Sequence, residues 1–554
     1  MVRVSFKQAG IVVGVPKGTT ILEAARKAEI FVETPCNGRG TCGKCLVKLS
    51  ESSLANVNQK GKGDLFLKTD QGYVLACQTI ITGNIVIESI RELAGNIEIL
   101  HQGENLAAEK NIYITKKYNR NLDSTVIYAE GKVLGAERGN TERWNFGVVI
   151  DIGTTTLVVS LVDINTGKEV GSVAALNPQA TYGQDVLSRI HFAAEKTGLA
   201  IMYTGLIQKI NNLFTEVTKK TGVNKQHIYE VIFSGNTCML HLATNISPVS
   251  MGKYPYKPAI SGGSYLKTVE YNLDVAEFGL IYLPPVISAY VGADITSGIL
   301  ACQLHHQNGI ILFIDIGTNG EMVLAVNGKL FATSTAAGPA FEGMNITHGM
   351  RAGAGAIELF EILDRDFAMN TIGGGKIIGI CGSGLLDIVA ELFAHGVIDA
   401  NGKLKDPATE DMPEFIKERL VRSEGKLVFK LTEDVWLSQK DIRQVQLAKG
   451  AIRSGIELLL RKVGISPSDV DRVLIAGSFG YHLRVKSLIN LGLLPDEFAT
   501  IVEMVGNTSK SGGQAFLTNQ SYRRDMAELV KRVEVIELAD YQDFNQVFVK
   551  CLRF

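Results

Sequence analysis

A chain of 554 residues is too long for one hydrophobic core, so two to four domains are expected. Its 56 basic residues nearly balance 57 acidic ones, and a formal net charge of -1 argues against nucleic acid or another polyanion as partner. Apolar runs are broken by Asp or Gly before the roughly 18 residues of a membrane span, and no charged start followed by an apolar stretch marks a signal peptide, so a cytoplasmic enzyme with no membrane partner is expected.

Met1 to Val15 alternates around a Gln8-Ala9-Gly10 turn and reads as a hairpin. Thr20 with Glu23 three residues later forms a capping box, and Ile21, Leu22, Ala25 and Ala28 make an apolar stripe, so a helix follows. Strand pair then helix is the opening of a β-grasp domain, expected over residues 1–94. The next stretch, Pro35-Cys36-Asn37-Gly38-Arg39-Gly40-Thr41-Cys42-Gly43-Lys44-Cys45, is joined by a distant fourth cysteine, Cys77. Half of the eight cysteines therefore fall in a small part of the chain, and in the expected cytoplasmic setting they are read as reduced, metal-bound or reactive. Three thiolates on one Gly-rich loop and a distant fourth suit a 2Fe-2S cluster, because glycines let a loop wrap closely and aim N–H groups at sulfur. Zinc usually takes two Cys-x-x-Cys pairs, and only Cys42 with Cys45 forms one here. The gaps of five, two and thirty-one residues resemble adrenodoxin-type ferredoxins more than the plant type.

Residues 95–145 turn polar and irregular and read as a linker or a small middle module. From Phe146 to the end the pattern is α/β, and it contains a duplication. Phe146-Gly147-Val148-Val149-Ile150-Asp151-Ile152-Gly153-Thr154-Thr155-Thr156 returns as Ile311-Leu312-Phe313-Ile314-Asp315-Ile316-Gly317-Thr318-Asn319-Gly320-Glu321. Each copy reads strand, Asp-Ile-Gly-Thr turn, strand, and then a second turn (Asn165-Thr166-Gly167; Asn327-Gly328) into a third strand. Glycine lets backbone approach a ligand, successive N–H groups and Thr hydroxyls can donate to phosphate oxygens, and an Asp at the strand end can hold a divalent cation through water. One such turn is weak evidence, since a tight hairpin needs Gly anyway. Two in matching context point to one polyphosphate held between them.

Between the turns, Gln184 to Ala194 and Ile201 to Lys220 read as amphipathic helices with Leu187, Ile190, Leu206, Ile210, Leu213 and Val217 inward. Gly262 to Gly279 reads as short strands. After the second turn, Ala336-Ala337-Gly338-Pro339-Ala340-Phe341-Glu342-Gly343 suggests a loop close to the nucleotide or a partner, and Lys449 to Val463 a further helix. It leads into an apolar strand ending in a Gly-rich turn, Val473 to Ala476 followed by Gly477, Ser478, Phe479 and Gly480. Cys238, Cys302, Cys381 and Cys551 are scattered and read as small hydrophobes. Glu321 either orders an attacking water or lines a polar cleft wall.

The paired turns resemble the phosphate motifs of the actin-like (ASKHA) ATPase superfamily, and the Gly477 turn its adenosine motif. Further stretches, Ser234 to Leu242, Gly292-Ala293-Asp294-Ile295 and Gly382 to Asp387, are similar to the ATPase domain of reductive activators of corrinoid proteins. That resemblance implies a multidomain α/β protein: a ferredoxin domain, a linker, and a duplicated actin-like fold over residues 146–554. It implies a cluster on Cys36, Cys42, Cys45 and Cys77. Asp151 and Asp315 would organise Mg2+, with Glu321 beside them. Phosphates would lie on Gly153, Thr154, Thr155, Thr156, Gly317, Thr318, Asn319 and Gly320, and adenosine on Gly477, Ser478, Phe479 and Gly480. It further implies a corrinoid methyl-carrier protein as partner, an upstream electron donor and a homodimer. The middle region is shorter here than in the fullest members of the family. An activator of a 2-hydroxyacyl-CoA dehydratase shares the ATPase fold but lacks a ferredoxin domain. A redox-regulated kinase would need a hydroxyl-acceptor site, and a chaperone or filament protein would bind ATP without passing electrons.

Overall fold

The structure, a computed structural model, describes residues 1–28, 30, 32, 34, 38, 40, 44–59, 72–90, 110–477 and 483–554. Cys36, Cys42, Ser478, Phe479 and Gly480 lie outside the described residues. Among those described, no helix is long and apolar enough to cross a membrane.

The N-terminal domain is built on a five-stranded sheet in the order Ile11–Val15, Val2–Phe6, Ile85–Ile90, Leu46–Leu49, Tyr73–Leu75. Its first hairpin is antiparallel, and Val2–Phe6 runs parallel to Ile85–Ile90, the return that makes a β-grasp. The helix Ile21–Lys27 starts on the Thr20–Glu23 capping box, with both reciprocal bonds formed, and buries Ile21, Leu22, Ala24 and Ala25 against the sheet.

Strands Ile114–Asn119, Ser124–Ala129 and Lys132–Arg138 form a separate three-stranded antiparallel sheet. It is fastened to the body of the chain rather than left as a tether. Tyr113, just before it, stacks on Tyr265 with ring centroids 4.5 Å apart. Lys116 Nζ donates to the Glu137 carboxylate, the Trp144 carbonyl and the Tyr229 hydroxyl.

Two six-stranded sheets with matching topology make up the rest. The first runs Lys168–Leu176, Thr156–Asp163, Phe146–Ile152, Ile228–Gly235, Leu280–Leu283, Ser264–Lys267. The second runs Lys329–Thr335, Gly320–Val326, Ile310–Ile316, Arg472–Ala476, Val502–Gly506 on from its other edge strand, Glu534–Val535. In each, an antiparallel three-strand meander is extended by parallel strands beside its first strand. The duplicated sequence is thus a duplicated lobe, each with an outer core of its own. Helices Ala293–Ala301 and Thr508–Thr518 cross between the sheets, and a third core joins the inner faces through them. The crossing is close: a Cβ on Gly512 would lie 2.0 Å from the Ser297 carbonyl oxygen.

Three local readings need correction. Leu187 on the helix Val186–Phe192 is 59% exposed, so it does not face inward. The helix expected from Lys449 begins ten residues earlier, as Gln439–Val463, because Ser438 and Asp441 form a capping box there. Only Ser264–Lys267 is a strand between Gly262 and Gly279; a 3-10 turn, Thr268–Tyr271, follows it.

One buried ion pair ties the first lobe to the C-terminal part of the chain. Arg523 Nη2 lies 2.6 Å from Glu230 Oε1, with both side chains under 5% exposed. The guanidinium also lies over the rings of Tyr113, Tyr265 and Tyr282. Removing one partner leaves an uncompensated buried charge, so Glu230→Ala is expected to cost about 3–5 kcal/mol. An unchanged denaturation midpoint in that variant would contradict this.

Candidate functional site

Asp151 is the last residue but one of the strand Phe146–Ile152, and the turn after the strand is held open from behind. The N–H of Gly153 donates to the Thr156 carbonyl at 3.0 Å, and a Cβ on Gly153 would come within 2.6 Å of that oxygen, so the turn requires glycine. The carbonyls of Gly153 and Thr155 accept from Asn177, and that of Thr154 accepts from Arg189. In a trans peptide the next N–H points opposite to the carbonyl, so the N–H groups of Thr154 and Thr155 are turned away from this scaffold, toward the cleft. Arg189 is fully buried, with further donors to Gly183 and Gln179. Among the described residues no carboxylate forms an ion pair with it. Asn177 and Arg189 are supports that the sequence did not flag.

The second turn is built on the same Asp-Ile-Gly-Thr start but is one residue shorter. Gly317 N–H donates to the Asn319 carbonyl at 2.9 Å, and Gly338 N–H to that of Thr318 at 2.8 Å. Asp315 stands opposite Glu321 in the antiparallel register, where the first copy has Asp151 opposite Val158. The second turn closes one residue sooner, with Ile316 paired to Gly320 where Ile152 pairs with Leu157, and this brings Glu321 opposite Asp315.

The turns face one cleft. It is lined by Asp151, Gly153, Thr154, Thr155 and Thr156 on one side and Asp315, Gly317, Thr318, Asn319 and Glu321 on the other, together with Gly477. Gly320 lies outside this lining, where a Cβ would meet the Thr335 hydroxyl at 2.8 Å. Gly477 has φ of 108°, and a Cβ there would lie 2.6 Å from the Ile316 carbonyl oxygen and 2.9 Å from Asp315 Oδ1, so only glycine lets this strand end close on Asp315. Ser478, Phe479 and Gly480 fall outside the described residues.

The cleft also gathers residues that the motifs did not name. Asn507 and Ser509, at the start of the helix Thr508–Thr518, donate to Asp151 Oδ2 and Oδ1, each at 2.8 Å. Asn236 Nδ2 donates to the Thr154 hydroxyl at 3.1 Å. Asp294, Glu342, Arg351 and Cys381 are also part of the wall. Asp294 and Asn236 belong to stretches that the sequence singled out. Glu342 belongs to the small-residue loop, whereas Asn507 and Ser509 carried only the weak signal of an Asn N-cap.

Four carboxyls here disturb one another. Burial and then Asp151 raise Asp315 to about 7. Burial and then Asp315 raise Asp294 to about 8. Glu321 is raised well above its usual range by burial, Asp294 and Asp315. Asp151 is raised by burial, against its bonds to Asn507 and Ser509. Crowded acids of this kind suit a divalent cation, which relieves their repulsion. No three metal-ligating side chains converge directly among the described residues. Magnesium does not require that, since it keeps several waters and draws further ligands from phosphate.

In the N-terminal domain the thiols of Cys45 and Cys77 are buried and 3.3 Å apart. Two thiolates on one tetrahedral metal lie roughly 3.8 Å apart for metal–sulfur bonds near 2.3 Å, so these two sulfurs would part by about 0.5 Å to share an iron. Gln78 Nε2 lies 3.5 Å from the Cys77 sulfur and donates to the Gly38 carbonyl at 3.0 Å, tying the fourth cysteine to the cysteine loop. The cluster domain also touches the cleft-bearing lobes. Lys44 Nζ donates to the carbonyls of Thr347 and Gly349, at 3.1 and 2.8 Å, and Arg26 Nε to that of Thr181 at 3.0 Å.

Matched lobes meeting at paired Asp-Ile-Gly-Thr turns define an actin-like ATPase, here fused to an iron–sulfur β-grasp domain. Residues 6–82 match the 2Fe-2S iron-sulfur cluster binding domain, residues 146–307 the RACo middle region, and residues 309–554 the C-terminal domain of RACo, the ASKHA domain. The family's middle region thus coincides with the first lobe, and the small sheet within 114–138 precedes it. The corrinoid activation enzyme RamQ of Eubacterium limosum is 30% identical, over 94% of this chain and 93% of that protein. The [Co(II) methylated amine-specific corrinoid protein] reductase of Methanosarcina barkeri is 25% identical, over 73% of this chain and 76% of its own. A solved structure of a reductive activator for corrinoid,iron-sulfur protein superposes with a TM-score of 0.75 at 32% identity, covering 100% of this chain and 98% of that one. The chain belongs to the family of reductive activators of corrinoid proteins.

Proposed function

We propose that this protein uses ATP to drive an electron from a 2Fe-2S centre onto a corrinoid protein, returning Co(II) to Co(I). Such a centre sits at a modest potential, and each 59 mV of uphill one-electron transfer costs about 1.4 kcal/mol, so a far more negative acceptor is reduced rarely unless nucleotide shifts which conformation is populated. Cys36, Cys42, Cys45 and Cys77 hold the cluster. Asp151 and Asp315 organise Mg2+, Glu321 lies beside them, and the Thr and Asn groups of the two turns take the phosphates, with Gly477 to Gly480 against adenosine. The partner is a methyl-carrier corrinoid protein of the cytoplasm, served by an upstream electron donor, and the activator works as a homodimer.

The observation that carries this reading is the contact made by Lys44. The residue directly before Cys45 donates to Gly349, two positions from the cleft residue Arg351. This contact supports a mechanical link between the cysteine-bearing domain and the cleft. The test is anaerobic absorbance of a Co(II) corrinoid protein mixed with the reduced full-length protein. Co(I) is expected with ATP and not without it; equal Co(I) in both samples would remove ATP from the reaction. Lys44→Ala is expected to lower the Co(I) yield per ATP hydrolysed, and an unchanged yield would show that this contact does not couple the two sites.

A further inference from the structure

The hydroxyls of Thr155 and Thr318, one from each turn, are given to a single side chain. Thr155 Oγ1 donates to Glu342 Oε2, and Thr318 Oγ1 to Glu342 Oε1 at 2.5 Å. A carboxylate thus sits astride both turns and offers their hydroxyls what a phosphate offers, a pair of anionic oxygens. Behind the first turn, the buried guanidinium of Arg189 favours an anion in the same place.

Glu342 closes the 3-10 turn Pro339–Glu342, and the chain after it is folded tightly on itself. A Cβ on Gly343 would lie 2.2 Å from the Met350 carbonyl oxygen, and one on Gly349 would lie 2.1 Å from that of Gly343. Packing this close couples the two ends of the loop, so a shift at Glu342 is passed on toward Met350, while Thr347 is also held by Asp441. The same loop carries the Thr347 and Gly349 carbonyls that hold Lys44.

We infer that Glu342 is an internal phosphate surrogate and the nucleotide sensor of this chain. The polyphosphate of ATP competes with it for the Thr155 and Thr318 hydroxyls and repels it by like charge. Its departure moves the 343–350 loop and so loosens Lys44 and the cluster domain. This rests on the ATP-dependent reading above and adds the part that passes nucleotide occupancy to the cluster.

The test uses full-length protein, calorimetric titration with MgATP and with a non-hydrolysable analogue, and amide hydrogen exchange. In the parent, MgATP is expected to speed exchange in residues 343–350 and 44–49. Glu342→Ala should bind MgATP about tenfold tighter, since the competing charge-assisted hydrogen bonds are gone, and should show the faster exchange with no nucleotide added. Glu342→Gln keeps the shape and an acceptor but loses the charge, and should fall between the two. Both variants binding no tighter than a parent that does bind, with exchange still responding only to nucleotide, would overturn the sensor. A loss of hydrolysis with unchanged affinity would likewise overturn it, making Glu342 a group of the chemical step. A parent that fails to bind MgATP would instead overturn the ATP-dependent reading itself.

Discussion

Asp315→Ala is expected to lower ATP hydrolysis by roughly 10²–10³-fold, the scale on which removing one preorganised electrostatic group acts, with the iron content and cluster spectrum unchanged. The carboxylate stands at the end of the central strand of the second lobe. Gly477 is pressed against it, and Asp294, Asp151 and Glu321 perturb it or are perturbed by it. Asp151→Ala should act similarly and also release Asn507 and Ser509, so it should loosen the start of the helix Thr508–Thr518 as well. Chelating Mg2+ should reproduce the loss in the parent and add little in the variant. Phosphate release at the parent rate from Asp315→Ala would remove this residue from the machinery.

Cys77→Ala should have the opposite profile: no cluster, no Co(I), and phosphate release that continues. Its thiol is 4% exposed and 3.3 Å from that of Cys45, so nothing from solvent can stand in for it. The loss should be complete, because a cluster held by three thiolates leaves one iron short of a ligand. Iron and sulfide analysis with visible absorbance reads the result. A variant that retains two irons per chain and still forms Co(I) would contradict the assignment; so would a single zinc in the parent.

What could be read from the chain follows the range of the interactions. The β-grasp opening was legible because Thr20 and Glu23 are three residues apart and the hairpin beside them is local. The two lobes were legible because one turn motif occurs twice in the same strand context, which needs no knowledge of where the copies meet. The start of the helix Gln439–Val463 was also written locally, in Ser438 and Asp441, and was missed because the apolar stripe is clearer further on. Leu187 went wrong for a different reason: helical periodicity shows that a face is apolar but not that another element covers it. Asn507 and Ser509 could not be connected with Asp151, because they reach it from 356 and 358 positions away in the chain. The same holds for Arg189 behind Thr154 and for Lys44 on Gly349, contacts that exist only once the lobes and the N-terminal domain have docked.

Coupling of the two halves is measured most directly by following both in one sample: phosphate release and cobalt(I) absorbance, recorded together under anaerobic conditions with reduced full-length protein and a Co(II) corrinoid protein. Both signals should rise together in a fixed ratio and stop together when ATP is exhausted. Co(I) forming without phosphate release, or phosphate release at full rate with no Co(I), would contradict it.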